Sequence, residues 1–241
     1  MATALGGAAL AVGLVAMPAA ATPTHSPAGF DPQHATSAHH PQVGGNFNQD
    51  GGNWSGYVAT GSGFSSVSAN WTIPNVTCNS SNDLFAPWVG LDGYGSQSVE
   101  QTGVAVDCSS GSPVDQAWYE MYPDNPVYYN DPVSAGDAFS GSVTTDGGGN
   151  YTLTITDSTK GWTETKSASY NGANASAEAI LESPSAAYPN FGSLSFSSFE
   201  INGQSADSAA PVALDASNSN GYEDHTGALS GGSFSVSYEQ E

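Results

Sequence analysis

The chain has 241 residues, and its 2 lysines and arginines against 23 aspartates and glutamates give a formal net charge of −21 at pH 7. With only Lys160 and Lys166 to neutralise phosphates, a nucleic acid or an anionic membrane surface is excluded as a partner. Five Trp, eleven Tyr and nine Phe exclude a disordered chain, and the length fits a single all-β domain.

The first 50 residues divide into two segments of different composition. Residues 1–21 hold an apolar stretch from Ala4 to Met17 and end in an A-x-A pattern. They predict a secretory signal peptide, and therefore a secreted, extracellular protein. Residues 22–50 hold four prolines and four of the five histidines with no period of 2 or 3.6, which predicts a linker or a short pro-segment.

From Trp54 onward, short runs alternate apolar and polar residues and are separated by Gly, Asn, Asp and Pro. This period of 2 predicts an all-β fold, an antiparallel β-sandwich of two packed sheets that occupies residues 51–241 as one domain. No second domain or internal repeat is visible. We expect a monomer. The clearest runs are Val67, Ala69, Trp71 and Ile73; Tyr151, Leu153 and Ile155; and Phe234, Val236 and Tyr238.

The chain has two cysteines, Cys78 and Cys108. An even number of cysteines in an exported chain predicts one disulfide, which here closes a loop of about 30 residues. A catalytic thiol is the alternative, but only His225 in the β-domain is available as its base.

The candidate chemistry of the β-domain is narrowed by what its sequence lacks. His225 is its only histidine, and no G-x-S-x-G elbow, H-E-x-x-H motif, cysteine cluster or phosphate-binding Gly loop is present. We therefore expect no metal and no cofactor. The remaining reactive groups are carboxylates, amides and tyrosines, which suit acid–base chemistry at low pH.

Six short segments then occur in a fixed order. They read N-W-S-G-Y at 53–57, A-N-W-T-I-P at 69–74, W-V-G-L-D-G at 88–93, E-Q-T-G-V at 100–104, A-W-Y-E-M-Y-P at 117–123 and S-A-E-A-I-L-E at 176–182. In this order and spacing the chain resembles the glutamic peptidases, or eqolisins, which are acid proteases with a β-sandwich fold. The resemblance implies a secreted, pepstatin-insensitive acid endopeptidase acting on polypeptides, with a jelly roll of the concanavalin-A type.

The resemblance also implies a catalytic pair. The family's Gln in Q-T-G falls on Gln101, and its Glu in the A-E segment falls on Glu178. A Glu carboxylate near its reference pKa of about 4.3 is partly ionised in mild acid and can deprotonate a water molecule. A Gln amide does not titrate, so its N–H can stabilise the developing oxyanion at any pH.

One departure from the family pattern leaves a choice open. Ala179 stands where the family has Trp, and a second carboxylate, Glu182, follows four residues after Glu178. Positions 178, 180 and 182 of a strand face the same way, so periodicity alone does not choose between the two carboxylates. The A-E alignment favours Glu178. In the same family pattern Met121 replaces a Trp.

The matched motifs contain further residues that we expect to line or brace the substrate cleft: Trp88, Asp92, Trp118, Glu120 and Tyr122. By the same resemblance, residues 122–131 form a flap over this cleft. Each of these residues also suits a purely structural role, as a core aromatic or as a hydrogen-bonded carboxylate.

Two other functions compete with the peptidase. A sandwich glycosidase would use two carboxylates, with Glu120 and Glu178 as candidates, although no E-x-D-x-E strand is present. A non-catalytic carbohydrate-binding module would use the abundant Trp and Tyr.

Overall fold

The computed structural model describes Met1 and residues 47–240, so the predicted signal peptide and the histidines of the linker lie outside the described residues. The described part is almost entirely β-structure. Its first nine strands are β1 (Gln49–Asp50), β2 (Trp54–Thr60), β3 (Ser66–Thr72), β4 (Leu84–Asp92), β5 (Val99–Asp107), β6 (Val114–Tyr122), β7 (Val127–Tyr128), β8 (Ala138–Thr145) and β9 (Asn150–Asp157).

Nine further strands and one short 3₁₀ turn, Ala206–Ala209, complete the described chain. The strands are β10 (Trp162–Ser169), β11 (Ser176–Glu182), β12 (Ser193–Ile201), β13 (Gln204–Ser205), β14 (Val212–Asp215), β15 (Ser217–Asn218), β16 (Gly221–Tyr222), β17 (Asp224–Thr226) and β18 (Phe234–Tyr238). Among the described residues, no helix has the length and apolarity needed to cross a bilayer.

Two large sheets contain nearly all of these strands. The first sheet has the order β1-β14-β2-β11-β4-β5-β6-β7, and the second has the order β10-β9-β8-β3-β12-β18-β17, with β13 added on β12. Every pair is antiparallel except the short β1–β14 pair. The predicted antiparallel sandwich is confirmed.

The core lies between the two sheets and is built by alternation. The first sheet contributes side chains such as Val89 and Leu181, and the second contributes Trp71, Leu153 and Ile155. All five are at most 3% exposed. Because successive side chains of a strand point to opposite faces, the predicted period-2 runs of β3, β9 and β18 each turn one apolar face inward.

The first sheet is also apolar on its other side, which we call the outer face. Every residue of β4, β5 and β11 is buried, on both faces of the sheet. The outer face carries a second cluster of side chains, the outer-face cluster, that includes Trp54, Val58, Trp88, Trp118 and Ile180. The strands at the middle of this sheet therefore hold polar residues away from water.

The sandwich starts before residue 51. The Phe47 ring stacks on Tyr222 with centroids 4.3 Å apart, and β1 pairs with β14. Asn48 donates to the Asp215 carboxylate through its backbone N–H at 2.7 Å and through its side chain at 2.9 Å. Residues 47–50, expected within the linker, thus pack against the domain.

The predicted disulfide between Cys78 and Cys108 is present. It connects the segment after β3 to the end of β5, and the Cys108 N–H donates to the carbonyl of Asp83 at 3.1 Å.

Candidate active site

Four residues from four neighbouring strands form a row across the middle of the first sheet, which we call the central row. Glu178 of β11 is opposite Gly90 of β4, Gly90 is opposite Gln101 of β5, and Gln101 is opposite Glu120 of β6. The predicted pair, Gln101 and Glu178, is thereby brought into one line although 77 positions separate the two residues in the sequence.

The side chains of the central row share the outer face. Ile180 follows Glu178 by two residues on β11, Ala105 follows Gln101 by four on β5, and both belong to the outer-face cluster. Adjacent strands are about 4.8 Å apart, so the backbones at Glu178 and Gln101 are roughly 10 Å apart. The two side chains are therefore separated by the width of one strand, β4.

Gly90 is the residue of β4 that lies between Glu178 and Gln101. A Cβ at this position would lie 2.9 Å from the Trp88 ring and 3.2 Å from the Cβ of Gln101. The backbone φ of Gly90 is not positive, so a residue with a side chain could adopt this backbone conformation. The absence of a side chain, rather than unusual backbone geometry, is what distinguishes position 90.

Glu178 is fully buried, and neither of its carboxylate oxygens makes a regular hydrogen bond to another described residue. Burial raises the pKa of this carboxyl well above its usual value, and the charges of Asp92 and Glu100 act in the same direction. The Ser176 hydroxyl partly opposes the shift. The expectation of an ordinary pKa for Glu178 is therefore wrong. A carboxylate in these surroundings is a stronger proton acceptor than an exposed one, but a smaller fraction of it is ionised in mild acid.

Gln101 is 1% exposed, and its Nε2 donates to Glu120 Oε2 at 2.6 Å. Its Oε1 has no hydrogen-bond partner among the described residues. The amide is therefore anchored on the side of β6, and its remaining polar atoms are left for another molecule.

Glu182 shares the face of Glu178 but is already occupied by structural contacts. Its Oε2 accepts from the Trp88 indole at 3.0 Å, and its Oε1 accepts from the Asn53 amide at 2.9 Å. It is opposite Ala86 on β4 rather than in line with Gln101. These contacts distinguish the two carboxylates that periodicity left equivalent.

Aromatic side chains surround the central row. Trp88 and Trp118 lie in the next row, on either side of Gly103, and the Trp54 ring meets Trp88 edge to face at 4.9 Å. Tyr122 packs against the same outer-face cluster. Trp88 of β4, and Trp118, Glu120 and Tyr122 of β6, are thus on the face that carries Gln101 and Glu178.

The 122–131 segment folds back along the sheet. Within it, β7 pairs with β6, placing Tyr128 opposite Trp118. Tyr128 also packs against the outer-face cluster, so the middle of the predicted flap lies beside the aromatic residues around the central row.

Asp92 braces the strand that carries Glu178. It ends β4 with a φ of 68°, and its two oxygens accept the backbone N–H groups of Asn174 and Ala175, each at 2.8 Å. These residues lead directly into β11. Of the two roles expected for Asp92, lining or bracing, its contacts correspond to bracing.

Glu100, the second residue of β5, lies beside Asp92. A Cβ added to Gly172 would be 2.9 Å from Asp92 Oδ2 and 3.1 Å from Glu100 Oε1, so the two carboxyls approach the same point. Burial, and then the charge of Asp92, raise the pKa of Glu100 to about 8. Glu100 is consequently neutral in acid.

Comparisons with known proteins identify the family. The model of the peptidase A4 family matches residues 52–238. The chain belongs to the peptidase A4 family.

Two curated relatives and one solved structure illustrate the similarity. Aspergillopepsin-2 of Aspergillus niger is 29% identical over 178 residues, covering 61% of this chain and 63% of that protein. Scytalidopepsin B of Scytalidium lignicola is 34% identical over 136 residues, covering 54% of this chain and 51% of that protein. The matches thus span less than two thirds of either relative. The crystal structure of scytalido-glutamic peptidase with a transition state analog inhibitor superposes with a TM-score of 0.69 at 25% identity, covering 78% of this chain and 98% of that one.

The departures from the A4 family pattern noted in the sequence lie away from the outer face. Ala179 and Met121 both belong to the core between the sheets. Ala179 is opposite Tyr57 of β2 and Val89 of β4. A smaller side chain at 179 therefore changes packing inside the sandwich.

Sequence analysis did not single out Gly90, Glu100 or Asn53. Gly90 and Asn53 lie inside matched A4 motifs, but their significance depends on which residue faces them across the sheet. Glu100 precedes Gln101 directly, and alternation alone sends one of these two polar residues to the inner face. The adjacency of Glu100 and Gln101 in a strand was therefore the one sequence feature that indicated a buried carboxyl.

Proposed function

We propose that this chain is a secreted glutamic endopeptidase that hydrolyses polypeptides in acid, with Glu178 as general base and Gln101 as oxyanion donor. The observation that carries the proposal is the alignment of Glu178, Gly90 and Gln101 in one row. It puts a proton acceptor and an amide donor on either side of a glycine, in a chain of the A4 family.

The first step adds water to the peptide bond. The Glu178 carboxylate accepts one proton of a water molecule while the water oxygen forms a bond to the carbonyl carbon. The π electrons of the carbonyl move to its oxygen, and the N–H of Gln101 stabilises the resulting oxyanion. The neutral amide provides this donor without titrating.

The second step expels the amine. The oxyanion re-forms the carbonyl, the C–N bond breaks, and Glu178 returns its proton to the leaving nitrogen. The products are a carboxylic acid and an amine. The raised pKa of Glu178 favours proton uptake in the first step, whereas its ionised fraction decreases as the pH falls below that pKa.

The glycosidase alternative has weaker support in the geometry. Its two candidates, Glu120 and Glu178, are at opposite ends of the central row with Gln101 between them, so their backbones are roughly 15 Å apart. Glu120 is also bonded to Gln101. Glycosidases require two facing carboxyls about 5–10 Å apart. The central row separates its two carboxylates more widely and places Gln101 between them.

Export is part of the proposal and rests on residues 1–21, with residues 22–46 as linker or pro-segment. The disulfide is consistent with an oxidising compartment. Because Phe47 and Asn48 pack against the domain, we place the maturation site before residue 47. The mature domain is proposed to act as a monomer.

The test is hydrolysis of denatured casein between pH 2 and 5 in the presence of pepstatin, beside a panel of β-glucans. We expect peptide release by the native chain and by Glu200→Gln, a matched control that removes an exposed carboxylate on the second sheet. Glu178→Gln should release none. Sugar release without peptide release, or unimpaired proteolysis by Glu178→Gln, would refute the proposal.

A further inference from the structure

The hydrogen bond between Gln101 and Glu120 joins two directly opposed residues of β5 and β6. Both side chains are buried, at 1% and 0% exposure. The Gln101 Nε2 and Glu120 Oε2 atoms are 2.6 Å apart. A hydrogen bond to an ionised carboxylate is roughly twice as strong as one between neutral groups. The amide proposed to act in catalysis is therefore held by a carboxylate in the same row.

An amide side chain has a donor end and an acceptor end, and only the donor end stabilises an oxyanion. An ionised carboxylate accepts hydrogen bonds and donates none, so it binds Nε2 and not Oε1. Nε2 carries two hydrogens. One is used by Glu120, and within the described part of the chain the other has no partner.

We propose that Glu120 is a positioning residue whose carboxylate fixes the amide of Gln101 with one N–H available to the oxyanion. The inference rests on the proposed function. When Glu120 is protonated, its hydroxyl can donate to Oε1, and the flipped amide then turns its acceptor end toward Glu120. Catalysis requires two carboxylates, Glu178 as base and Glu120 as anchor, so activity in strong acid is lost through two protonations.

The groups that face Glu120 come from both neighbouring strands. Gln101 is opposite it on β5, and on β7 Tyr128 is opposite Trp118, two residues before Glu120 on the same face of β6. Burial and then the charge of Glu120 raise the pKa of the Tyr128 hydroxyl, which therefore stays neutral throughout the acid range. Glu178 is the titratable group at the other end of the row. Neither Tyr128 nor Gln101 changes charge between pH 2 and 6.

The first test is the pH dependence of kcat in Glu120→Gln, with Glu200→Gln as the control that removes an exposed carboxylate. At the pH optimum we expect kcat to fall about 10- to 100-fold, less than for complete loss of an oxyanion donor, with KM within about twofold. In the lowest part of the profile, log kcat should rise with a slope of 2 in the native enzyme and in Glu200→Gln. The slope should be 1 in Glu120→Gln.

A double-mutant cycle provides the second test, because a merely structural role would not produce its result. If Glu120 acts through Gln101, then Gln101→Ala/Glu120→Gln should have the kcat of Gln101→Ala within about twofold. Additive losses in the double variant would overturn the proposal, as would an unchanged slope and kcat in Glu120→Gln.

Folding is checked by near-UV circular dichroism at each pH. If Glu120→Gln does not fold, the same measurements are made on Glu120→Asp, whose shorter side chain withdraws the carboxylate from Nε2, and an unchanged slope and kcat there overturn the inference. Failure of this inference can be distinguished from failure of the proposed function. Native activity in both Gln101→Ala and Glu178→Gln would refute the function and this inference with it, whereas inactivity in those two with native kinetics in Glu120→Gln would refute only this inference.

Discussion

At the scale of single residues, position 90 has the clearest physical requirement. Gly90 lies between the proposed base and the proposed oxyanion donor, and a Cβ there would approach Trp88 and Gln101 to within 2.9 and 3.2 Å. Neither neighbour can move freely, because the Trp88 indole donates to Glu182 and Gln101 is held by Glu120. A methyl group must therefore displace at least one of them.

We predict that Gly90→Ala lowers kcat/KM on the order of 10²-fold, since displacements of about 1 Å at a catalytic group have effects of that size. Overpacking should cost about 1–3 kcal/mol of stability, which leaves the variant folded. Steady-state kinetics on one peptide substrate measure the effect. The control is Gly61→Ala, where a Cβ meets only ordinary contacts of 3.4 Å or more. Equal activity in the two variants would contradict the account.

Sequence reasoning at this scale named candidate residues for the site but not their partners. Gln101, Glu120 and Glu178 are visible in the motifs, yet Glu178 and Glu182 are equivalent by periodicity. Only the contacts of Glu182 with Trp88 and Asn53 separate them, and those contacts depend on the register of three strands.

At the scale of elements, the end of β4 and the start of β5 hold a buried pair of carboxyls, Asp92 and Glu100. Asp92 holds the backbone of the segment that enters β11, and Glu100 lies beside it. In acid Glu100 is neutral, because its pKa is raised to about 8. Ionisation of Glu100 would place two buried negative charges side by side, next to the segment that positions Glu178.

From the Asp92–Glu100 pair we predict that the free energy of unfolding falls as the pH rises. Glu100 binds its proton more tightly in the folded state than in the unfolded state, where its pKa is 4.5, so its contribution is complete below pH 4.5 and is lost as the pH approaches 8. The loss amounts to as much as about 5 kcal/mol over that window. Glu178 and Asp224, whose pKa values are also raised chiefly by burial, act in the same direction.

Urea unfolding at pH 5 and at pH 8 measures this effect. We predict that Glu100→Gln loses several kcal/mol less between the two pH values than the native protein, because the amide can donate to Asp92 at any pH. Glu200→Gln, which removes an exposed carboxylate, should lose as much as the native protein. Identical losses in all three proteins would exclude Glu100 as the source.

The elements themselves were predictable where one face meets solvent. The strands β3 and β9 alternate in sequence because their outward residues are hydrophilic. By contrast, β4, β5 and β11 are buried on both faces, so apolar, glycine and carboxyl residues mix in them without a period. The two-residue strand β1 has too little sequence to show a pattern.

At the scale of the whole molecule, the charge distribution favours stability of the folded state in acid. Both lysines are engaged: Lys160 pairs with Asp137 at 2.5 Å, and Lys166 lies 5.3 Å from the Tyr119 ring centroid. The outward residues of the second sheet are mostly hydroxyl side chains, which do not titrate. They include Ser140, Thr163, Thr165, Ser195 and Ser197. Protonation of the carboxylates therefore leaves few positive charges to repel one another.

The disulfide ties the loop between its two cysteines, which are 30 positions apart, to the first sheet. By loop entropy it contributes roughly 3–4 kcal/mol, so reduction should lower Tm by about 10 °C. Calorimetry with and without reductant measures this shift. The control is the double variant Cys78→Ser/Cys108→Ser, whose Tm should be low and insensitive to reductant. If complete reduction left the Tm of the native protein unchanged, the prediction would be contradicted.

The central claim is that Glu178 and Gln101, and not Glu182, act on the peptide bond. The most direct measurement is kcat on one internally quenched peptide at pH 4 for Glu178→Gln, Gln101→Ala and Glu182→Gln, each with a native near-UV spectrum. We predict a loss of about 10⁴-fold or more for Glu178→Gln, about 10²–10³-fold for Gln101→Ala, and less than about tenfold for Glu182→Gln. An active Glu178→Gln beside an inactive Glu182→Gln would contradict the account.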